Sequence, residues 1–317
     1  MNHLTLYFLL TIALTCVVCE NLGSSHDLDL ENFDNYLKRY EKDYSDMEKK
    51  LRANIFEANL RTIKKHNSNP DASFKMGINH FTDLTSEEIA AYNMGNRKIK
   101  SKPNTQGKFL SAGDCDGKVK EQGQCGGAAL YTFTDTLASC VCNNDNEMVD
   151  LSVQELIDCA SKYGCHGAYP VDLFKYAKED GLCSASSYEF KDQQNQCKNK
   201  TCDKVAKITG YEMIPAGDET TMLNMLKQHG SIFALFDATA SFEMYSSGIY
   251  SDASCSKEQL DHSLQVTGYG SKDSVDYWIC KNTWGTTWGM NGYVWIKRGS
   301  NECGIAQESY YFTGCAK

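Results

Sequence analysis

The chain has 317 residues, of which 41% are hydrophobic and only 4 are proline. This composition suits a globular protein of one or two domains and excludes a disordered or collagen-like chain. The formal net charge of -9 argues against a nucleic-acid partner, because a phosphate-binding surface needs clustered Lys and Arg. The only dense basic run, RKIKSK at 97–102, is interpreted as a linker.

The N-terminus carries an apolar run from Leu4 to Cys19 that is too short to span a bilayer. We interpret residues 1–19 as a signal peptide that is cleaved near Cys19 or Glu20. No later stretch reaches the roughly 18 uninterrupted apolar residues of a membrane helix. We therefore expect a product without a membrane span, either secreted or held in a lysosomal or vacuolar lumen.

The cysteines are distributed unevenly along the chain. Of the 15 cysteines, all but Cys16 and Cys19 lie at or beyond Cys115. The polar, basic stretch NRKIKSKPNTQGKF at 96–109 precedes them and is of the kind that proteases cut readily. We therefore predict a pro-segment at residues 20–108 and a disulfide-rich body at residues 109–317.

Three helices are predicted in the pro-segment. Between Leu28 and Tyr44, apolar side chains recur at helical spacing, at Phe33, Tyr36, Leu37 and Tyr40. A second stripe with spacings of 4, 4, 3, 4 and 4 contains Glu48, Arg52, Phe56, Asn59, Ile63 and Asn67. Its first two members can form an ion pair. Further on, Thr85 and Glu88 have the spacing of a capping box that begins a third helix.

This pro-segment resembles a known type. The second stripe is similar to the ERFNIN pattern, and Gly77, Asn79, Phe81 and Asp83 are similar to the GxNxFxD pattern, of cathepsin L-like propeptides in the papain family. The resemblance implies a helical inhibitor-type propeptide that folds against the body and lays a strand backwards through its cleft. A buried acid and base paired there would weaken as the carboxylate protonates, so release at acidic pH is implied.

The body resembles the papain family in four stretches. They are VKEQGQCGGAALYTF at 119–133, LSVQELIDCASKYGCHGAYP at 151–170, LDHSLQVTGYG at 260–270 and YWICKNTWGTTWGMNGYVWIKRG at 277–299. The resemblance implies an α+β papain-like fold with a mainly helical half (109–215), a β-barrel half (216–317) and a cleft between them. The residue pattern itself predicts helices at 128–143 and 152–179 and alternating, glycine-punctuated strands over 230–312.

The resemblance also assigns catalytic positions. Gln122 matches the oxyanion-binding Gln, His262 the catalytic His and Asn282 the Asn that orients it. The position of the nucleophilic Cys is occupied by Ala128, which has no heteroatom. The implied substrate-binding positions are Gly126, Gly127, Gly167, Ala168 and Trp284.

Three further positions depart from the family pattern, and at the first of them Gly127 takes the place of a Ser. Ala129 replaces a Trp, and Ala168 replaces a Gly whose backbone pairs with the substrate, so its added Cβ narrows that approach.

The missing thiol bears directly on function. Peptide cleavage of this class needs a thiolate at a helix N-terminus beside an imidazole, with donors for the oxyanion. Without it we predict an inactive homologue that acts by binding peptides, cystatin-like inhibitors or other proteins, as a decoy, a holder or a storage protein. Two alternatives stay open: an active endopeptidase using a displaced nucleophile such as Cys125, and a released pro-segment that inhibits related enzymes.

The remaining expectations concern covalent chemistry and assembly. The resemblance implies the disulfides Cys125–Cys165, Cys159–Cys197 and Cys255–Cys303. Seven cysteines remain, so at least one is free or intermolecular unless processing removes one: Cys115, Cys140, Cys142, Cys183, Cys202, Cys280 and Cys315. CVC at 140–142 and CKNKTC at 197–202 could suggest zinc, but the secreted context favours disulfides. We expect no metal, no cofactor and a monomer.

Three further residues receive structural or surface interpretations. Asn199, in NKT, is an N-glycosylation acceptor that should be exposed. His166 lies in a disulfide loop and should face solvent, and His229, before Gly230, is interpreted as a residue at a helix C-terminus.

Overall fold

The computed structural model describes residues 30–93, 115–123, 125 and 127–317. The predicted signal peptide and the predicted processing stretch at 96–109 lie outside these residues, as does Gly126.

The pro-segment forms α1 (Phe33–Arg39), α2 (Asp46–Asn67), β1 (Phe74–Met76) and α3 (Ser86–Asn93). The body's helices are α4 (Ala128–Asp145), α5 (Val153–Glu155), α6 (Pro170–Glu179), α7 (Glu219–His229) and α8 (Ala240–Glu243). Its strands are β2 (Leu182–Cys183), β3 (Lys204–Met213), β4 (Ile232–Phe236), β5 (Tyr245–Tyr250), β6 (His262–Lys272), β7 (Val275–Lys281), β8 (Tyr293–Lys297) and β9 (Ser309–Ala316).

The three predicted helices of the pro-segment are confirmed. Tyr36 and Leu37 of α1 are buried against Phe56 of α2 in a small core of their own. The capping box at the start of α3 is present, since the Thr85 amide donates to the Glu88 carboxylate at 3.0 Å and the Glu88 amide to the Thr85 hydroxyl at 3.3 Å. The pro-segment is therefore stabilised by contacts within itself as well as by its packing against the core of the body.

The polar members of the α2 stripe bind the chain that follows the helix. Asn59 donates to the Thr82 carbonyl at 2.9 Å, and Asn67 donates to the Met76 carbonyl at 2.7 Å while accepting from the Met76 amide at 2.9 Å. Because these contacts satisfy backbone polar groups of Thr82 and Met76, they stabilise the path of the chain from β1 to α3.

Asp83 is the centre of a buried polar cluster in the pro-segment. Its carboxylate accepts from the hydroxyl of Tyr36 at 2.9 Å and that of Tyr44 at 2.7 Å. It also pairs with Lys42 at 2.9 Å, and both charged side chains are almost fully buried. Burial lowers the pKa of Lys42, and the neighbouring Asp83 charge opposes that shift. This arrangement explains the acidic residue that ends the GxNxFxD pattern.

The α+β fold with a helical half and a β half is confirmed, but the sheet does not close into a barrel. The strand order is β1-β5-β8-β7-β6-β4-β9-β3-β2, so β1 and β2 are the two edge strands of an open sheet. A closed barrel would need two neighbours for every strand. At one edge the added strand comes from the pro-segment: β1 pairs antiparallel with β5 of the body in the register Phe74↔Gly248 and so covers the edge of β5. At the other end β2 pairs with β3 and carries the sheet into the predicted helical half.

The predicted helix at 128–143 is confirmed as α4, whereas the continuous helix predicted at 152–179 is wrong. That stretch contains α5, a short π-helix at Leu156–Ala160, a 3-10 helix at Gly164–His166 and then α6. Gly164 and Gly167 have φ of 56° and 92°, values that favour glycine and interrupt a helix. Pro170 then starts α6 at its first position, where the missing N–H costs nothing.

Six disulfides join the described cysteines. The three pairs implied by the resemblance, Cys125–Cys165, Cys159–Cys197 and Cys255–Cys303, are all bonded. The others are Cys115–Cys142, Cys140–Cys315 and Cys183–Cys202, which leaves Cys280 as a free, buried thiol. The cysteines of CVC and CKNKTC are therefore all in disulfides and offer no thiolate for zinc.

Among the residues with a described position, no helix is long and apolar enough to cross a membrane.

Candidate active site

His262 and Asn282 meet where two strands of the sheet end. His262 is the first residue of β6, Asn282 follows the last residue of β7, and the two strands pair antiparallel. His262 Nε2 lies 2.8 Å from Asn282 Oδ1. Because an amide oxygen only accepts, Nε2 carries the proton in this pair. Trp284 packs against the imidazole with ring centroids 4.6 Å apart and is fully buried. The imidazole is therefore held in one orientation.

The second ring nitrogen of His262, Nδ1, is buried and makes no hydrogen bond within the described part of the chain. Burial lowers the pKa of His262 to about 4, and the hydrogen bond to Asn282 opposes that shift. With the pro-segment docked, this imidazole is therefore neutral at any pH well above 4.

Ala128 is the first residue of α4 and is buried. The N-cap residue, Gly127, is extended, with φ of -65° and ψ of 161°, and supplies no side-chain cap. The hydroxyls of Thr132 and Ser263 bond at 2.9 Å, which places the start of β6 beside the first turns of α4. The sulfur of Cys125 is bonded to Cys165 and is not a free thiol.

Gln122 is fully buried and is held by Thr283. The backbone N–H of Gln122 donates to the Thr283 carbonyl at 2.8 Å, and the Thr283 hydroxyl donates to the side-chain oxygen Oε1 of Gln122 at 2.7 Å. Because the Thr283 amide also donates to Asn282 Oδ1 at 2.7 Å, a continuous chain of contacts links Gln122, Thr283, Asn282 and His262. The structure thus brings together the three retained residues that the sequence singled out.

The pro-segment contacts this group directly. Gln122 Nε2 donates to the backbone carbonyl of Tyr92 in α3 at 3.2 Å, and the Tyr92 hydroxyl donates to the Glu121 carboxyl at 2.6 Å. Phe81 meets Trp284 edge-on at 5.0 Å between centroids. Burial raises the pKa of Glu121 to about 7. Sequence reasoning missed Tyr92 and Glu121, because a contact between residues so far apart leaves no local pattern.

The other predicted residues lie as follows. Gly167 has space around it: apart from its chain neighbours, no atom of the described residues would lie within 4 Å of a Cβ at this position, but its positive φ disfavours other residues. Ala168 is half-buried and His166 is exposed as predicted, whereas Asn199, which was predicted to be exposed, is partly buried. His229 ends α7, and Gly230 follows as its left-handed C-cap.

Glu243 is a buried carboxyl beneath the pro-segment that the sequence did not indicate. Its carboxyl accepts from the Ser86 hydroxyl of α3 at 3.3 Å, and its backbone carbonyl accepts from Asn79 at 2.8 Å. Burial raises the pKa of Glu243 from the ordinary 4.5 to about 9. The folded chain therefore keeps a proton there that the unfolded chain releases.

This proton makes stability depend on pH. The contribution is fully present below about pH 4.5 and is lost as the pH rises toward about 9, because only the folded state is protonated in that window. We expect Glu243→Gln to flatten this part of the profile of unfolding free energy against pH, measured by urea denaturation. The control Glu57→Gln, at an exposed position of α2, should leave the slope unchanged. Equal slopes for the native chain and Glu243→Gln would contradict the prediction.

Comparisons with known proteins show the family to which the chain is similar. Residues 112–313 match the family described as papain family cysteine protease, and residues 33–89 match the cathepsin propeptide inhibitor domain. The chain is 32% identical to a cathepsin L-like proteinase of Fasciola hepatica over 310 residues, covering 90% of this chain and 92% of the relative. It is 31% identical to pro-cathepsin H of Bos taurus over 306 residues, covering 89% and 90%.

Solved structures are similar as well. The digestive procathepsin L 3 of Tenebrio molitor larval midgut superposes with a TM-score of 0.79 at 30% identity, covering 90% of this chain and 99% of that one. A recombinant stem bromelain precursor superposes with a TM-score of 0.78 at 29% identity, covering 91% and 99%.

Proposed function

Because the chain belongs to the papain family of cysteine proteases, we propose that it is an inactive member that acts by binding in its cleft. The observation that carries the proposal is Ala128 at the first position of α4, beside a retained His262–Asn282 pair. We place this activity in a secreted or lysosomal compartment, in keeping with the six disulfides.

The physical argument concerns bond formation. An acyl-enzyme forms only if a nucleophile attacks the carbonyl carbon, and the methyl group of Ala128 has no lone pair to donate. Deleting one member of such a triad leaves only the rate acceleration that oxyanion donors and substrate binding supply. The retained residues then serve as binding groups for peptides, inhibitors or protein partners.

The alternative hypothesis is an active endopeptidase with a displaced nucleophile. Cys125 is the nearest thiol in the sequence, and its bond to Cys165 argues against that role. Thr132, one helical turn into α4, is buried and hydrogen-bonded to Ser263. Neither residue offers a free nucleophile, which favours the binding role.

A hydrolysis assay tests the proposal. The full chain is folded, cut within 96–109 and incubated with a fluorogenic peptide beside an active cathepsin L-like relative. We expect turnover below about a thousandth of the relative's rate, unaffected by a thiol-blocking reagent. Turnover that is comparable to the relative's rate and is abolished by that reagent would show that the chain is an active endopeptidase.

A further inference from the structure

The loss of the thiol changes the charge balance of the site. In an active enzyme of this class a helix N-terminus and an imidazolium stabilise a thiolate. This chain keeps the 18-residue helix α4, with no acidic residue in its first turn and no side-chain cap at Gly127. It also keeps His262 but has only a methyl group at position 128. The groups that stabilise an anion are present without the anion.

Two buried side chains point independently to a ligand. His262 is 3% exposed, and its Nδ1 has no partner within the described residues, although Nε2 is bonded to Asn282. The contact between Thr132 and Ser263 sets this residue beside the first turns of α4. Gln122 Nε2 donates to an oxygen of the pro-segment, the Tyr92 carbonyl. When the pro-segment leaves, that donor loses its acceptor.

We propose that the processed body binds the C-terminal carboxylate of a peptide at this position, between Gln122 Nε2, protonated His262 Nδ1 and the N-terminus of α4. The inference rests on the proposed function, since an active-site thiolate would repel a carboxylate. A carboxylate offers two oxygens to these donors, and charge-assisted hydrogen bonds are about twice as strong as neutral ones. The ligand class is therefore a peptide with a free C-terminus rather than an internal stretch of chain.

Two acidic residues flank these donors in the chain, and they determine the conditions of the test. Glu121 accepts from the Tyr92 hydroxyl, and burial raises its pKa to about 7. Asp261 accepts from the Ala238 amide, and burial raises its pKa to about 6. The test is therefore run at about pH 4, near the lowered pKa of His262, where the imidazole is partly protonated and both carboxyls are neutral in these surroundings.

The test compares peptide acids with peptide amides. The chain is folded with its pro-segment, cut within 96–109, freed of the pro-segment and immobilised. A mixture of N-acetylated pentapeptides is applied once as free acids and once as C-terminal carboxamides, and retained peptides are quantified by mass spectrometry. We expect roughly tenfold greater retention of the acids. Equal retention of intact acids and amides, or no retention of either, overturns the inference.

A matched pair of variants separates charge from size. Ala128→Asp places a carboxylate from the protein itself at the site, whereas Ala128→Asn has nearly the same volume without the charge. We expect Ala128→Asp to retain several-fold less peptide acid than Ala128→Asn, and equal retention by the two variants overturns the inference. Cleaved peptides in the native sample would instead refute the inactive state, so the two failures are distinguishable.

Discussion

Ala128→Cys is expected to give the processed protein a peptidase activity that a thiol-blocking reagent abolishes, at least about 10³-fold above the native rate. The introduced thiol would stand at the N-terminus of α4, where the helix dipole lowers a thiol pKa. His262 is already oriented by Asn282 at 2.8 Å, and Thr283 holds Gln122, the oxyanion donor that the resemblance implies. The measurement is hydrolysis of a fluorogenic peptide by the cut chain, with and without the reagent.

The matched control is Ala128→Ser, which adds an atom of similar position without the nucleophilicity of a thiolate and should gain far less activity. Because Cys125 and Cys165 lie close by, titration of free thiols must show that the native disulfides of the variant are intact. A correctly bonded Ala128→Cys protein without any gain would mean that Ala129 and Ala168 also disable the cleft. The absence of the thiol would then be only one of several losses.

Asp83→Ala is expected to unfold the pro-segment, with a loss of about 3–5 kcal/mol in its free energy of unfolding. The substitution leaves the Lys42 ammonium buried without its counter-ion, and it removes the acceptor of the Tyr36 and Tyr44 hydroxyls. The measurement is urea denaturation of the full chain, together with hydrogen exchange of α1 and α2. Rapid exchange should appear in the pro-segment while the disulfide-bonded body stays protected.

The control for this prediction is an exposed ion pair on α2. Glu57 and Arg61 lie 3.8 Å apart with both side chains mostly in solvent, so Glu57→Ala should cost less than about 0.5 kcal/mol. If Asp83→Ala changed the unfolding free energy no more than Glu57→Ala does, the Asp83 cluster would not be what stabilises the pro-segment.

Much of the pro-segment could be predicted because its signals are local. The α2 stripe and the capping box at Thr85 and Glu88 arise from spacings within one helix, and both are present. The failure at 152–179 is also local in origin. Apolar spacing alone suggested one helix, whereas Gly164, Gly167 and Pro170 interrupt it through their backbone conformations.

The site was only partly accessible to sequence reasoning. Motif matching indicated Gln122, His262 and Asn282, but their connection through Thr283 depends on strand pairing between distant segments. The buried carboxyl of Glu243 carries no signal in the sequence, because its high pKa arises from burial in the folded chain. An acid residue in a sequence gives no indication of its burial.

The sequence by itself determined the family, the order of pro-segment and body, and the absence of a thiol at position 128, since each depends on residue identity at a given spacing. Only the tertiary structure decided that the sheet stays open with a pro-segment strand at one end. It also decided that His262 Nδ1 is buried without a described partner and that the Tyr92 carbonyl occupies Gln122. The physical reason is that burial and hydrogen bonding between remote segments depend on how the whole chain packs.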